Sequence, residues 1–548
     1  MKTTVSVLAA MLFATVAHAQ TPQIVGVFPA GAKVGQTVEV ALRGGRLQGA
    51  RKLLVTGGFG VTAEVATGGK APDEGLRPLV QNKCTSCHEL RTPDNRTMTT
   101  EQWAQTVERM VVQRGAQLSA EEKGKVTDYL QAKARAGVVT ARVIVSEGAS
   151  PGPRELRLLT DAGVTTAFTF EVGEQAEVLA SEPNSKISEP QKITLPVTVN
   201  GTLASPAERD YFQFSAKKGE SYAFDLRAFR ISELTAAFFN PVLYLYDSKG
   251  KEIAKNLGSS SLDPKLSWTC EGDGEYTLLV RDLLWKGNPA AIYRLNATVG
   301  EPQTPSPPES VTGPDFQITA MPDTINLAPG ASAAVLVRAT KRDKLSTSIT
   351  LGIGDLPAGV TAQPTAIPPD DDKALVILTA APDAQVGGHS FTITGKSMGE
   401  GKALTREAQP IEVYRGPSNG QRQRPRGLSG VGVSQNVPFT LETVSTCPIK
   451  ANDRTEISVK IHRQGNFKGG IVVFPYALPW FTYPNTGAIY LPPEKDEVSF
   501  TIFGNGNGDH IAKRDKNLPP MKFSFVGIVA GVNEQAYLST APITVVPK

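Results

Sequence analysis

The sequence predicts a mainly β, multidomain protein in which tandem β-sandwiches are interrupted by one small all-α insertion. Its 548 residues exceed what one hydrophobic core organises, so several domains of roughly 100–150 residues are expected. The 40 prolines and 51 glycines, set among short β-branched runs, are typical of turn-rich β structure. The hydrophobic period changes from that of a strand to that of a helix only over residues 71–136.

The first nineteen residues have the pattern of a secretory signal peptide. Lys2 supplies the positive start, and Val5 to Val16 is an apolar core too short to cross a bilayer. Ala17-His18-Ala19 fits a small-x-small cleavage site. A short N-terminal anchor is the alternative, but the length of the core and the cleavage site favour a signal. We expect the mature protein to be periplasmic or otherwise exported, and not membrane-spanning.

The first β domain is predicted in two pieces, residues 22–70 and 137–174. Short strands separated by glycine turns precede the helices, and the strand pattern returns after Gly137. The first piece alone would leave open sheet edges, so the second piece is expected to complete the same sandwich. Two unrelated small domains are the alternative, but the first would have too few strands to close a core.

These two pieces resemble the IPT/TIG-type, immunoglobulin-like sandwiches of exported bacterial proteins. The resemblance lies in Val27-Phe28-Pro29-Ala30-Gly31 and in the segment that runs from Pro151-Gly152 to Leu158. It implies an immunoglobulin-like sandwich into which residues 71–136 are inserted.

The insertion contains C-x-x-C-H, the attachment signature of c-type haem. Cys84 and Cys87 lie on one side of a helical turn, where both thiols can reach the vinyl groups of one porphyrin. His88 is then placed to ligate the iron. A zinc half-site is the alternative, but the other cysteines, Cys270 and Cys447, are remote and isolated. Since c-type haem is attached outside the cytoplasm, the signal pattern supports one covalent haem c.

Three helices are predicted in the insertion. The first covers Asp73 to Leu90 and the second Thr99 to Gln113, while a capping box, Ser119-Ala120-Glu121-Glu122, begins the third. We expect the helices to supply the pocket around the iron.

Met110 is the predicted sixth ligand of the iron. The insertion holds no other histidine, which leaves Met98 and Met110. The run from Cys84 to Leu130 resembles a minimal cytochrome c domain, whose distal methionine precedes a glycine and a helix cap, as Met110 does here. Many relatives have proline after that methionine, whereas this chain has Val111. Met98 is explained by a contact at a helix start, and plain core packing is the alternative for Met110.

Four apolar or aromatic residues of the insertion are expected to wall the haem and tune its potential: Trp103, Leu118, Tyr129 and Leu130. Three arginines, Arg91, Arg109 and Arg114, are candidates for pairing a propionate, although each is also explained as a solvated surface residue. The histidines outside the insertion, His389, His462 and His510, are expected to be surface or strand residues.

Residues 193–298 carry three segments in order, D-Y-F-x-F from Asp210, Y-D-x-x-G-K from Tyr246 and G-x-Y-x-L-x-V-x-D from Gly274. They resemble the bacterial pre-peptidase C-terminal (PPC) domain, a jelly-roll-like β-sandwich. The resemblance implies an accessory module for targeting or for carbohydrate or surface contact, sometimes with calcium. The calcium candidates are Asp210, Asp247, Asp263, Asp273 and Asp282, for which ordinary turn and edge roles are the leading interpretation.

Two further sandwiches are predicted at residues 315–414, which resemble a bacterial immunoglobulin-like domain, and at 437–548. The basic, Gly/Pro-rich stretch from Gly416 to Gly430 is interpreted as a solvated hinge. Cys270 and Cys447 lie in different predicted domains and are expected to be buried free thiols.

The leading hypothesis is an exported monohaem c-type cytochrome that transfers single electrons to or from a redox partner protein, either as a carrier or as an accessory subunit of a periplasmic redox complex. The insertion also resembles the haem domains of large exported dehydrogenases, but this chain has no catalytic motif of its own. The alternative is an extracellular adhesion or carbohydrate-contacting scaffold whose haem is structural or a ligand sensor. The net charge of +4 without a basic block gives no support for nucleic-acid binding.

Overall fold

The computed structural model describes residues 22–57, 59–68, 73–84, 100–228, 231, 240–258, 263–300, 313–343, 345–363, 365–415, 421–434, 437–464, 467–530 and 538–548. Strands dominate this part of the chain and form several sheets, while helices are few. The mainly β, multidomain class predicted from the sequence is therefore confirmed.

The first sandwich packs two sheets around one core. Its strands are β1 (Gln23–Phe28), β2 (Gly31–Lys33), β3 (Thr37–Gly45), β4 (Lys52–Thr56), β5 (Val61–Gly68), β6 (Val138–Val145), β7 (Gly152–Thr160), β8 (Gly163–Val164) and β9 (Phe168–Gly173). One sheet has the order β1-β3-β6-β5, and the other has β2-β9-β7-β4 with β8 paired to β7. Alternate residues of β6 and β9, such as Val139 and Phe170, are fully buried between the sheets.

The helical segment lies between β5 and β6, which are antiparallel neighbours in one sheet. It contains a 3₁₀ turn (Glu74–Leu76), α1 (Arg77–Cys84), α2 (Thr100–Arg114) and α3 (Ala120–Ala136). Both ends of the segment therefore leave and re-enter the same sheet, and Gly137 closes it by donating through its amide to Lys133 O.

The second sandwich consists of two five-stranded sheets. Its strands are β10 (Ala176–Leu179), β11 (Gln191–Lys192), β12 (Val197–Thr202), β13 (Arg209–Ala216), β14 (Ser221–Arg227), β15 (Pro241–Tyr246), β16 (Glu252–Asn256), β17 (Lys265–Thr269), β18 (Gly274–Asp282) and β19 (Ile292–Val299). The orders are β10-β12-β19-β14-β17 and β11-β13-β18-β15-β16. Phe212, Phe214 and Phe224 are fully buried in the core between them.

The third sandwich comprises β20 (Asp315–Met321), β21 (Thr324–Leu327), β22 (Ser332–Arg342), β23 (Ile349–Gly354), β24 (Val360–Ala362), β25 (Thr365–Ile367), β26 (Lys373–Ala380), β27 (Gly387–Gly399), β28 (Lys402–Glu407), β29 (Gln409–Arg415), β30 (Gln421–Pro425) and β31 (Ser429–Val433). One of its sheets has the order β21-β31-β27-β23-β25, with β28 on β27. Ile349 and Val431 are fully buried in its core.

The fourth sandwich comprises β32 (Phe439–Glu442), β33 (Thr446–Ile449), β34 (Arg454–Arg463), β35 (Ile471–Tyr476), β36 (Thr482–Pro484), β37 (Ile489–Leu491), β38 (Glu497–Gly504), α4 (His510–Lys513), β39 (Lys522–Val529), β40 (Leu538–Ser539) and β41 (Ile543–Pro547). One sheet runs β32-β34-β38-β36. The other is continuous with the third sandwich, because β40 pairs with β22 through Ser332 and Ser539.

The interpretation of Gly416 to Gly430 as a solvated hinge is wrong for its described part. Residues 421–425 form β30 against β29, and β31 begins at Ser429. Arg426 is 3% exposed; its Nη2 lies 2.6 Å from Glu412 Oε2 and donates to Ala167 O at 2.8 Å. A charged residue can be buried here because the Glu412 carboxylate and the Ala167 carbonyl accept hydrogen bonds from the Arg426 guanidinium.

The first and third sandwiches meet at a buried polar interface. Arg157 of β7 is fully buried, and its Nη2 donates to Asp323 Oδ2 at 2.7 Å and to Leu428 O at 2.9 Å. Asn326 of β21 accepts from the Val164 amide at 2.8 Å and donates to the Val164 carbonyl at 3.0 Å. The side chain of Asn326 thus pairs with β8 as a neighbouring strand would.

Candidate functional site

The three helices of the segment bring one apolar face each into a shared core. Trp103 and Val107 lie one turn apart on α2, and Val126 and Leu130 lie one turn apart on α3, so each pair presents a single face. The cluster comprises Val80, Trp103, Val107, Val126, Tyr129 and Leu130, with Leu76, Leu79, Cys84, Leu118 and Ala134 partly buried against it. The residues predicted as haem walls therefore lie in one cluster with Cys84.

The start of α3 is fixed by the capping box that the sequence predicts. Ser119 Oγ accepts a hydrogen bond from the Glu122 amide at 3.1 Å, and Glu122 Oε2 accepts from the Ser119 amide at 2.9 Å. The hydrogen bond from the Ser119 backbone, together with that from Lys83, lowers the pKa of Glu122. The prediction of this helix start is confirmed, and its register places Val126 and Leu130 on the core face.

The end of α1 is held beside the loop between α2 and α3. Lys83 Nζ donates to Gln117 O at 3.1 Å and to Glu122 Oε2 at 3.0 Å. Its distance to the other carboxylate oxygen, Oε1, is 2.9 Å. These contacts position Cys84, the next residue, beside the apolar cluster where Leu118 also lies.

Met110 is half-buried near the end of α2, one turn after Val107. Gly115 adopts φ +69°, a left-handed conformation that favours glycine, and the chain turns back so that Ala116 donates through its amide to Met110 O at 3.0 Å. Within the described residues Met110 is not a member of the apolar cluster. Iron ligation by Met110 and its alternative, core packing on the helical face of Trp103 and Val107, therefore both stay predictions.

Four of the predicted residues, Cys87, His88, Arg91 and Met98, lie outside the described residues. The structure thus places one thiol of the C-x-x-C-H motif and the helices on either side of it. Haem attachment and iron ligation stay predictions.

The candidate propionate arginines that the structure describes are exposed. Arg109 lines an open groove of about 580 Å³ on α2, on the side away from the apolar cluster. Arg114 is the last residue of that helix. Both residues are exposed, which favours the surface interpretation of both.

The histidines of the later sandwiches make polar contacts there. His389 Nδ1 lies 2.7 Å from Ser390 O, His462 Nε2 lies 2.8 Å from Glu442 Oε2, and His510 Nε2 lies 2.8 Å from Asp370 Oδ2. The structure does not bring them to the helical segment.

Cys270 and Cys447 are buried and form no disulfide, which confirms the expectation for them. Burial raises the pKa of the Cys447 thiol to about 12.

A second cluster of functional groups lies at one edge of the second sandwich. The carboxylate oxygens of Glu182, Glu208 and Asp210 lie within 4.8 Å of one another. Burial raises the pKa of Asp210 to about 7, and Tyr293 Oη donates a hydrogen bond to its Oδ2. Asn184 is 1% exposed and its side chain hydrogen-bonds Asp210, yet among the described residues its Oδ1 has no partner.

Only one of the five aspartates considered as calcium ligands belongs to this cluster. Asp247 accepts from two backbone amides of its turn, and Asp263, Asp273 and Asp282 also accept from backbone amides. Asp247 and Asp282 thus have the turn roles that aspartates commonly have, whereas Asp263 and Asp273 bind the backbone of distant segments, at Ala228 and Lys218. Sequence reasoning missed Glu182, Asn184 and Glu208: Asn184 lies in a stretch with the composition of a polar linker, Pro183 to Pro190, and the two glutamates come together with it only through the tertiary fold.

Comparisons with known proteins give no family. No family model matches the chain, and no curated protein matches it. Among solved structures, the pre-peptidase C-terminal domain of a collagenase from Bacillus anthracis is similar at 15% identity and a TM-score of 0.17. The match covers 21% of this chain and 100% of that domain. At this TM-score the similarity supports no assignment.

No helix in the part of the chain that the structure describes combines the length and apolar character needed to cross a membrane.

Proposed function

We propose that the protein is an exported, monohaem c-type cytochrome that passes single electrons to or from a redox partner. The observation that carries the proposal is the position of Cys84. It is the first thiol of a C-x-x-C-H motif, ends a helix, and is half-buried against an apolar helical cluster. The signal pattern in residues 1–19 supports export, which the attachment of a c-type haem requires.

The described residues fit such a group by the chemistry of their donors. Cys84 provides a thiol beside an apolar surface, and Met110 provides a half-buried thioether near the end of α2. Cys84 and Cys87 would hold the haem covalently, and His88 and Met110 would ligate its iron. When bound, the haem supplies a one-electron couple at that iron.

The protein groups then have distinct tasks. The contacts of Lys83 with Gln117 and Glu122 fix the end of α1, and with it the thiol of Cys84. Trp103, buried with its neighbours on α2 and α3, keeps water away from this side of the segment. An apolar, water-poor setting is one of the levers by which a protein tunes a redox potential.

The alternative proposal is a scaffold in which the haem is structural or senses a small ligand. Met110 discriminates between the two. A methionine-ligated, six-coordinate iron favours electron transfer, whereas an open position that binds carbon monoxide favours sensing.

The test is redox spectroscopy of the full chain, exported by a host that attaches c-type haem. We expect reduction by ascorbate and no carbon monoxide binding, with Met110→Ala opening the iron to carbon monoxide. Met398→Ala is the matched control, since Met398 is 49% exposed in the third sandwich. Carbon monoxide binding by the unmodified protein would favour the sensor and contradict the electron carrier.

We also infer that the second sandwich is a PPC-type module and that the first is of IPT/TIG type. In the second, two of the three sequence segments that carry the resemblance lie on β13 and β18, and the third joins β15 to β16. The sheet order β13-β18-β15-β16 makes all three neighbours. In the first, strands from both sides of the helical segment pair in one sheet.

We propose that Glu182, Glu208 and Asp210, with Asn184 Oδ1, hold a calcium ion in the second sandwich. Calcium prefers several carboxylate and amide oxygens, and this cluster offers three carboxylates within 4.8 Å of one another beside the buried amide of Asn184, whose Oδ1 makes no hydrogen bond to the described residues. Its role is structural, because the cluster ties the segment before β11 to β13.

The test compares thermal unfolding of the full chain in calcium chloride and in a chelator. Saturating calcium is expected to stabilise the protein by about 2–3 kcal/mol at a hundredfold excess over Kd. Asp210→Asn should abolish this effect, while Asp247→Asn, the matched control, should retain it. An equal calcium effect in Asp210→Asn, or none in the unmodified protein, contradicts the assignment.

A further inference from the structure

A row of alternating cationic and aromatic side chains lies on the second sandwich, at the β13-β18-β15-β16 sheet. Its members are Arg209, Trp285, Arg281, Tyr244 and Lys255, and we refer to them as the cation–aromatic row. The Arg281 guanidinium lies 4.2 Å from the Trp285 ring centroid and 5.2 Å from that of Tyr244. Arg209 lies 5.7 Å from Trp285, and Lys255 lies 5.9 Å from Tyr244.

Trp285 is both exposed and rigidly held. It is 45% exposed, and its backbone adopts φ +58°, an unfavourable conformation for a bulky residue. The buried carboxylate of Asp282 holds the loop by accepting from the Leu284 amide at 2.9 Å and the Lys286 amide at 2.8 Å. Trp285 O accepts from the Ala207 amide at 3.0 Å. Backbone strain that the surroundings enforce is concentrated at functional positions.

The two arginines of the row differ in their contacts: Arg281 donates from Nη1 to Asp282 O at 2.9 Å and from Nη2 to Tyr244 Oη at 2.8 Å, whereas Arg209 donates no side-chain hydrogen bond to the described residues. Arg209 and Arg281 are paired directly opposite each other on β13 and β18, where like charges repel. Lys255 is paired with Glu252 at 2.9 Å. Among the described residues no carboxylate lies within 4.0 Å of either arginine. An anion placed across this pair would relieve the repulsion.

We propose that the cation–aromatic row binds an anionic, uronate-containing polysaccharide. The exposed part of a fixed indole can pack on the apolar face of a sugar ring, and the planar guanidinium of Arg209, at the exposed start of β13, matches a carboxylate. The row extends along the sheet, as a chain of repeating sugars requires. Tryptophan, tyrosine and arginine are also the side chains that most often dominate binding energy.

This inference goes beyond the proposed electron transfer and does not rest on it. It gives the surface-contact role of the β modules a location and a ligand class. An electron carrier with such a site would be retained at an acidic extracellular matrix, whatever the identity of its redox partner.

The experiment is calorimetric titration of the full chain with oligogalacturonate, with neutral dextran as the comparison ligand. Trp285→Ala is expected to weaken binding at least about tenfold. Trp480→Ala is the matched control, because Trp480 is also 45% exposed but lies in the fourth sandwich. Arg209→Gln, at the exposed start of β13, provides a second variant that tests the charge without changing the loop of Trp285.

We expect oligogalacturonate to bind the unmodified protein and Trp480→Ala equally, and to bind Trp285→Ala and Arg209→Gln weakly. Binding should also weaken as salt is raised. Equal binding to dextran, unchanged binding by Trp285→Ala and Arg209→Gln, or binding only to double-stranded DNA or to an acidic protein would each overturn the proposal. None of these readouts depends on haem, so failure here leaves the electron-transfer proposal untouched.

Discussion

Replacing Arg157 with leucine is expected to destabilise the contact between the first and third sandwiches. The guanidinium is fully buried and donates to Asp323 Oδ2 at 2.7 Å, and the Asp323 side chain is 4% exposed. The substitution leaves that carboxylate buried without its cation. Breaking a buried pair in this way costs about 3–5 kcal/mol.

The measurement is amide hydrogen exchange of the full chain, followed by mass spectrometry of peptides from β7 and β31. A loss of this size lowers protection in both strands by roughly 10²- to 10⁴-fold, because they share the interface. Arg338→Leu is the matched control. Arg338 pairs with Asp372 at 2.8 Å, but the two side chains are 48% and 51% exposed, so its loss should cost about 1 kcal/mol or less.

The double variant Arg157→Leu/Asp323→Leu separates the two causes of the loss. If the uncompensated carboxylate dominates, removing it as well should recover part of the protection lost in the single variant. Equal effects of Arg157→Leu and Arg338→Leu would mean that burial does not make the Arg157–Asp323 pair more important than an exposed pair.

Two further predictions concern local features. Ser119→Ala removes the Ser119 side-chain acceptor of the capping box and should destabilise α3 by about 1 kcal/mol. The measurement is hydrogen exchange, in which residues 120–130 should lose protection. Unchanged protection would contradict the role of the cap. Cys447, with a pKa of about 12 against an ordinary 9.0, should resist alkylation in the folded protein up to about pH 10 and react after unfolding. Because the unfolded thiol ionises at lower pH than the folded one, the free energy of unfolding should fall as pH rises above 9. Cys447→Ala should remove this part of the pH dependence. Rapid alkylation of the folded protein at pH 8 would contradict the burial of this thiol.

Features set by short-range patterns could be predicted from the sequence. The capping box at Ser119 joins residues three apart, and the strand from Thr37 shows its alternation directly, so both are observed close to where they are expected. The helical face of Trp103 and Val107 follows from spacing alone.

Features set by distant partners could not be predicted. Arg426 lies in a Gly/Pro-rich stretch that indicates a hinge. Its side chain is nevertheless buried, because it contacts Glu412 of the same sandwich and Ala167 of the first sandwich. Asn184 lies in a stretch with linker composition, but it is buried because β13 packs against it: the Tyr211 amide donates to Asn184 O at 2.9 Å. In both cases the tertiary contact overrides the local composition.

Electron transfer by this protein depends on a covalent haem at Cys84 and Cys87. The most direct test is the mass and pyridine haemochrome spectrum of the denatured full chain after export by a host that attaches c-type haem. We expect one haem that survives denaturation in the unmodified protein and in Cys270→Ala, and none in Cys84→Ala/Cys87→Ala. A chain without covalent haem, or with haem retained in that double variant, would contradict it.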